Sequence, residues 1–245
     1  MKKVIAVFIA YNGANTLEDF YQQLPKELFD QTILVDDASV DNTFTLAKKL
    51  GIKSYRNKIN RGYGGNIKRA LKLALSSGAD VIVDIHPDGE YKPSSIPKAL
   101  SKIENGAEFV LGNRFTHLST PLKSGMFFWK LLPLIFLNLV DRIILNVPIN
   151  DFHQGFRVYT KAMLRKINFE VNSNGYLFSF ELITQAAYHK IKFAEVPVQT
   201  HYRGKKRGAS FKNSLGYSLG TFKIIILFIF AKLGVSVKMF SLPKR

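Results

Sequence analysis

Thr32-Ile33-Leu34-Val35-Asp36-Asp37-Ala38-Ser39-Val40-Asp41-Asn42-Thr43 decides how this chain is read. An apolar run of strand length ends in two carboxylates, and Ser39 or Asp41 stands where it can cap the helical segment that follows. In open α/β sheets ligands bind at the carboxyl ends of strands. Asp36 and Asp37 therefore fall where a base or ribose hydroxyls would be bound, although a capping turn alone would use the same residues. The pattern repeats outward. Residues 4–9, 81–85 and 108–111 are further β-rich runs, and residues 15–29, 41–50, 62–77 and 93–104 have helical spacing. Strands alternating with helices predict an α/β fold on a parallel sheet covered on both faces. Asn12-Gly13, Ser77-Gly78 and Asn105-Gly106 mark turns in the gaps.

Two more stretches carry candidate chemistry. Asn60-Arg61-Gly62-Tyr63-Gly64-Gly65-Asn66 precedes a helical segment. Glycines there would let backbone approach a ligand, at a helix start that favours anions. The stretch has neither the Lys-Ser/Thr of a phosphate-binding P-loop nor the dinucleotide spacing. Val81-Ile82-Val83-Asp84-Ile85-His86-Pro87-Asp88-Gly89-Glu90 is a second strand ending in acidic groups. His86, Asp88 and Glu90 are two residues apart, which an extended segment aims to one side. Such an oxygen-rich set suits Mg²⁺ or Mn²⁺, the histidine leaning toward Mn²⁺. An acidic loop with a satisfied histidine is the alternative.

The formal net charge is +17, from 35 Lys+Arg against 18 Asp+Glu, which calls for an anionic partner. Cysteine is absent, so neither a disulfide framework nor a thiolate metal site exists. The basic residues are spread along the chain without a zinc finger, an RNA-binding signature or a basic helix, and no nucleic-acid partner is expected. Residues 125–146 are rich in Phe, Leu and Ile but broken by Lys130, Pro133, Asp141 and Arg142; residues 217–240 are apolar with Lys223, Lys232 and Lys238 around them. Neither offers an uninterrupted spanning stretch. Both read as helices in a bilayer interface, with a core helix and a subunit contact as the respective alternatives. The expected division is a catalytic domain over 1–212 and a C-terminal interfacial or oligomerisation helix over 213–245.

The order and spacing of these motifs resemble family 2 glycosyltransferases of the GT-A fold, particularly the dolichyl- or polyprenyl-phosphate mannose or glucose synthase branch. The resemblance runs from Val4 to about Lys212. It rests on the Asp36-Asp37 turn, the Gly62–Gly65 segment, the His86–Glu90 stretch, Leu111-Gly112-Asn113-Arg114-Phe115 and Asp151-Phe152-His153-Gln154-Gly155-Phe156-Arg157. Tyr176 to Glu181, Ala194-Glu195-Val196-Pro197-Val198, and Tyr202-Arg203 followed by Arg207 to Lys212 extend it. The resemblance implies a Rossmann-like, mixed and mostly parallel sheet flanked by helices, with an apolar C-terminal helix. It implies nucleotide-sugar contacts from Ala10, Tyr11, Asn12, Asp36, Asp37, Gly62 and Asp88. It makes Asp88 the principal ligand of Mg²⁺ or Mn²⁺, assisted by Glu90; His86 joins the expected metal set by its spacing.

Two positions depart from the family's pattern. Gly13 stands where it usually has glutamate, and His86 replaces the first aspartate of its metal motif, so Asp84 either compensates or is structural. The activity implied is inverting transfer of a hexose from a UDP- or GDP-sugar to a polyprenyl or dolichyl phosphate, by a peripheral protein on the cytoplasmic face of a membrane. Arg114, Arg157, Arg203, Arg207, Ser210 and Lys212 are the expected acceptor or phosphate contacts. Asp88, Asp151 and Arg114 are the expected catalytic groups; Asp151, with His153 behind it, would be the base if the acceptor were a saccharide hydroxyl. A catalytically weak, membrane-docked nucleotide-sugar binder is the remaining alternative, and the apolar tail could also join two copies.

Overall fold

The computed structural model describes residues 2–116, 122, 125–200 and 211–243, without the side chains of residues 128, 130, 211 and 212. Seven strands form one sheet: β1 (Val4–Ala10), β2 (Gln31–Asp36), β3 (Lys53–Arg56), β4 (Val81–Asp84), β5 (Phe109–Asn113), β6 (Arg157–Thr160) and β7 (Phe193–Pro197), in the order β3-β2-β1-β4-β6-β5-β7. Neighbours are parallel except at β6, which runs antiparallel to both β4 and β5. The GT-A-like mixed, mostly parallel sheet is therefore present.

The four apolar runs become β1, β2, β4 and β5. β3, β6 and β7 have no such run: Lys53-Ser54-Tyr55-Arg56 is partly exposed throughout, and β6 is only four residues long. The helical segments become α1 (Ala14–Gln22), α2 (Thr43–Lys49), α3 (Gly62–Ser76) and α4 (Ile96–Glu104). They are followed by α5 (Phe128–Leu145), α6 (Lys161–Lys166), α7 (Phe178–Tyr188) and α8 (Phe211–Lys232).

Side chains alternate across the sheet. Ile5, Val7 and Ile9 of β1 join a core with Ile67 and Leu71 of α3, Phe180 and Ile183 of α7, and Ile224 and Phe228 of α8. Ala6, Phe8 and Ala10 face a second core with Leu17 and Phe20 of α1, Ala47 of α2 and Ile96 of α4. β1 is buried on both faces, which explains its unbroken apolar sequence. α8 thus shares the core of the sheet, and the expected boundary at 212/213 falls inside this helix. By length and composition α8 does qualify as a membrane-crossing helix, contrary to the reading of the sequence.

Strand order reverses between β1 and β4. In the register Ala10 lies beside Asp36, Asp36 beside Arg56, and Asp84 beside Arg157. Charged residues therefore line the carboxyl ends of β2, β3 and β4, beside the switch point where open sheets bind ligands.

Candidate active site

The turn after β2 is held by its own polar groups. Ala38 takes φ 61° and Asn12 φ 54°. Ser39 Oγ accepts the Asn12 N–H at 2.8 Å, and Asn12 Oδ1 accepts the Val40 N–H at 2.9 Å. Asp41, not Ser39, serves α2, accepting the Thr43 N–H at 3.0 Å. The two aspartates divide. Asp37 Oδ1 accepts from Asn57 Nδ2 at 2.6 Å and from the Arg61 N–H at 2.9 Å, which ties the turn to the start of α3. Asp36 is fully buried; its Oδ2 meets Arg56 Nε at 3.2 Å and its Oδ1 has no partner. The turn brings Ala10, Tyr11 and Asn12 beside Asp36 with a bare buried acceptor, whereas Asp37 is occupied by the scaffold.

The glycine segment corrects its expected role. Asn174 O accepts the Gly64 and Gly65 N–H groups at 2.8 and 3.2 Å, so the protein itself caps α3. A Cβ on Gly62 would lie 2.7 Å from Asn174 O, and one on Gly64 would lie 2.3 Å from Ser173 O. These glycines let α3 press on the 173–175 turn; the amides are not left open for a phosphate.

The loop after β4 enters a cavity of about 700 Å³ lined by His86, Asp88, Glu90, Arg114 and Arg157 among others. Thr16 Oγ1 donates to Pro87 O at 2.6 Å, and Tyr91 Oη accepts the Gly155 N–H at 3.0 Å. Asp88 Oδ1 accepts the Glu90 N–H at 2.9 Å. Burial, then the nearby Asp88 charge, pushes the Glu90 carboxyl above its ordinary value. Two acidic groups at the cavity wall fit part of the oxygen shell of a hard divalent ion, with a diphosphate and water free to complete it. His86 does not join them. Its Nε2 lies 3.6 Å from Asp84 Oδ1, back toward the sheet, and among the described residues no three His, Asp or Glu groups converge on one metal position. The expected three-residue set is therefore not assembled; Asp88 and Glu90 remain as a carboxylate pair, and His86 Nε2 is directed toward Asp84 without a hydrogen bond to it.

Beneath the cavity lies a buried polar floor. Asp84 Oδ2 accepts from Tyr159 Oη at 2.9 Å. Burial, against the opposing effects of His86 and Arg157, raises the Asp84 pKa. Burial alone would lower the Arg157 pKa, but Tyr63, Tyr159 and Asp84 hold it above its ordinary value. Arg157 donates to Tyr63 Oη at 3.3 Å and to Gln154 O, and its Nε has no hydrogen-bond partner.

Asp151 is corrected as a candidate base. It is fully buried, does not line the cavity, and forms a fork with Arg114: Nε to Oδ2 and Nη2 to Oδ1, both at 2.8 Å. It aims Arg114, which reaches the cavity. Glu195 Oε1 in turn accepts the N–H groups of Asn150 and Asp151 at 2.7 and 3.1 Å. Arg203, Arg207 and Ser210 lie outside the described residues, as does the side chain of Lys212.

Residues that the sequence did not mark as site residues complete the cavity. Tyr63 and Tyr176 line it, with Trp129, Pro133 and Leu137 of α5 and Tyr217 of α8. α5 is inverted: Asn138 and Asp141 point inward, while Leu132, Phe136, Leu139 and Ile143 form an exposed apolar stripe. Spacings of four, three and four residues would normally mark the buried face of a soluble helix. On α8 Leu215, Leu219, Phe222, Ile226 and Ile229 are also exposed, as is Leu233 just beyond it.

A mixed sheet with acidic and basic groups at its carboxyl edge, over a cleft roofed by helices, defines a GT-A-like protein. The chain belongs to glycosyl transferase family 2, whose model matches residues 6–167, and it is a glycosyltransferase. A UDP-N-acetylglucosamine–dolichyl-phosphate N-acetylglucosaminyltransferase of Methanococcus voltae is 26% identical over 220 residues, covering 82% of this chain and 86% of that protein. An undecaprenyl-phosphate mannosyltransferase of Micrococcus luteus is 26% identical over 207 residues, covering 80% and 82%. The UDP complex of glucosyl-3-phosphoglycerate synthase from Mycobacterium tuberculosis matches with a TM-score of 0.71 at 16% identity, covering 97% of this chain and 82% of that one. Another structure of that enzyme, with Mn²⁺, UDP and glucosyl-3-phosphoglycerate, matches at 0.68.

Proposed function

We propose that this glycosyltransferase moves a hexose from a UDP- or GDP-sugar to a polyprenyl or dolichyl phosphate, with inversion, at the cytoplasmic face of a membrane. One observation carries the reading: a cavity with carboxylates and arginines inside is walled by two helices whose outer stripes are apolar. An acceptor with a charged head and a hydrocarbon chain matches both halves. The curated relatives named above, which act on dolichyl and undecaprenyl phosphates by their names, support it.

In this reading the donor's base lies beside Asp36, whose bare buried Oδ1 suits an N–H, with Ala10, Tyr11 and Asn12 forming the rest of the turn. Asp88 and Glu90 would hold Mg²⁺ or Mn²⁺, which when bound neutralises charge on the departing diphosphate. Arg114, aimed by Asp151, and Arg157 from the floor face the acceptor phosphate, for which a guanidinium offers paired donors. Arg203, Arg207, Ser210 and Lys212 are further phosphate contacts proposed from the sequence alone. An ionised phosphate needs no strong base, so the protein's main task is to bring two anions together. The exposed stripes of α5 and α8 lie in the bilayer interface, as helices with one apolar face do.

The test is transfer from a panel of UDP- and GDP-sugars to polyprenyl phosphate in detergent with Mn²⁺ or Mg²⁺, beside Asp88→Ala. Lipid-linked sugar from wild type alone is expected. Release of nucleoside diphosphate without lipid product, on an enzyme that glycosylates a sugar hydroxyl instead, would overturn the lipid-phosphate acceptor.

A further inference from the structure

Asp141 is a carboxylate in the middle of an apolar helix, and it is almost completely buried. Its Oδ2 lies 2.9 Å from His153 Nε2. The other ring nitrogen, Nδ1, lies 3.0 Å from Tyr217 Oη. His153 stacks on Phe180 with ring centroids 5.5 Å apart, which fixes the ring plane. Asn138, one turn before Asp141, accepts the Phe152 N–H at 2.9 Å and so fixes the backbone that carries the histidine. Both His153 and Tyr217 line the cavity. Three segments far apart in the chain thus form a line from a buried carboxylate to a hydroxyl on the cavity wall. Burying a carboxylate, an imidazole and a phenol together costs free energy that an apolar packing would not, so packing alone gives little reason for this chain of polar groups.

We propose that Tyr217 accepts the proton of the acceptor oxygen, with His153 as the proton sink and Asp141 as the positioning residue. The proposal rests on reading the cavity as the acceptor site. The relay uses the tautomer with the proton on Nε2, the nitrogen 2.9 Å from Asp141 though not aligned for a hydrogen bond, so that Nδ1 accepts from Tyr217. As the acceptor attacks, its O–H bond breaks and that proton goes to Tyr217 Oη. The tyrosine's own proton passes to Nδ1. The electron pair freed on the acceptor oxygen forms the bond to the anomeric carbon, and the diphosphate leaves with the pair of the old glycosidic bond. His153 becomes an imidazolium matched by Asp141, and returns the proton through Tyr217 to solvent once product leaves.

The surroundings suit a relay. Burial, reinforced by Asp141 and Tyr63 against Arg157 and Arg114, holds the Tyr217 phenol well above its ordinary range, so it passes a proton on and is not left as a phenolate. Burial also raises Asp141, which His153 opposes. Among the described residues, the charged or titratable groups in contact with His153 are Asp141 from α5, Tyr217 from α8 and Arg114, whose Nη2 donates to His153 O at 2.7 Å; Phe180 of α7 stacks on the ring. Arg157 and Tyr63 act on the line through Tyr217.

The shared chemistry is an acceptor oxygen that still carries a proton, as in a phosphate monoanion or a sugar hydroxyl. Tyr217→Phe and His153→Gln are compared with wild type on polyprenyl phosphate and on an alkyl glucoside, over the range of about pH 5 to 9. With the phosphate, the loss in kcat should be confined to pH below its second ionisation, about 6, and vanish above it. With the hydroxyl, kcat should fall about 100-fold or more throughout. Variants that keep the wild-type kcat and pH profile on an acceptor that turns over would overturn the relay. If neither acceptor turns over, the functional reading fails, and ¹⁵N NMR of the histidines decides the relay separately. His153, assigned through His153→Gln, should be neutral with a bare Nδ1 whose resonance moves in Tyr217→Phe. A protonated Nδ1 would overturn the proposal.

Discussion

Replacing Asp151 with alanine removes the carboxylate that grips Arg114 at two points. The guanidinium, 5% exposed, keeps the His153 carbonyl but loses its fork partner. Losing the two-point counter-ion of a buried charge costs up to about 3–5 kcal/mol. For a domain of this size each kcal/mol lowers Tm by about 2–4 °C, so a fall of up to about 6–20 °C is expected in calorimetry. Arg114→Met should cost a similar amount, because it strands the carboxylate instead. The double variant Arg114→Met/Asp151→Ala removes both charges and should be more stable than the sum of the single losses allows, with a coupling of about 3 kcal/mol. Activity should fall in Asp151→Ala through the misplaced arginine. Strictly additive losses, or a single-variant loss below about 1 kcal/mol, would show that the pair is solvated and that Asp151 does not aim Arg114.

Gly64→Ala would put a Cβ 2.3 Å from Ser173 O and 2.6 Å from Phe178 Cβ; despite alanine's helix preference, we expect a net loss of about 2 kcal/mol by urea unfolding, whereas Gly216→Ala, in open space, should be neutral or stabilising. Asp84 is held protonated more readily in the folded than in the unfolded chain, so its contribution is most favourable below its ordinary value of 3.8 and declines as pH rises toward the raised folded value. Asp84→Asn should therefore flatten the fall in stability above pH 3.8 seen in pH-dependent thermal melts; an unchanged slope would rule out Asp84 as its source. Leu139→Glu and Ile143→Glu on the exposed stripe of α5 should leave Tm within about 0.5 kcal/mol equivalent and weaken flotation with anionic vesicles about 10-fold or more each. Unchanged flotation would leave the stripe as a contact between two copies, which sedimentation would then show.

The residues that declared themselves in the sequence did so because their signal is local. Val4–Ala10 and Gln31–Asp36 read as strands since burial on both sheet faces demands an unbroken apolar run, and the carboxylates at 36 and 37 mark a strand end wherever the strand is placed. Those features, with the helical spacing between them, were enough for an α/β fold and for the edge on which the site would sit. The antiparallel insertion of β6 between β4 and β5 was illegible because four residues carry no period and the pairing is made with chain far away. Asp36 and Asp37 look alike in sequence and differ only through distant partners, Arg56 for one and Asn57 with the Arg61 amide for the other. His86 stood in a metal-like spacing, yet its geometry turns it to Asp84. Asp141 read as an interruption of an apolar segment; only the packing of α5 against the Asp151–Arg157 loop shows that it faces inward and meets His153. Composition and period reach as far as one element's own faces. Which buried polar group meets which is set by contacts between segments tens of residues apart, and those exist only once the chain has folded.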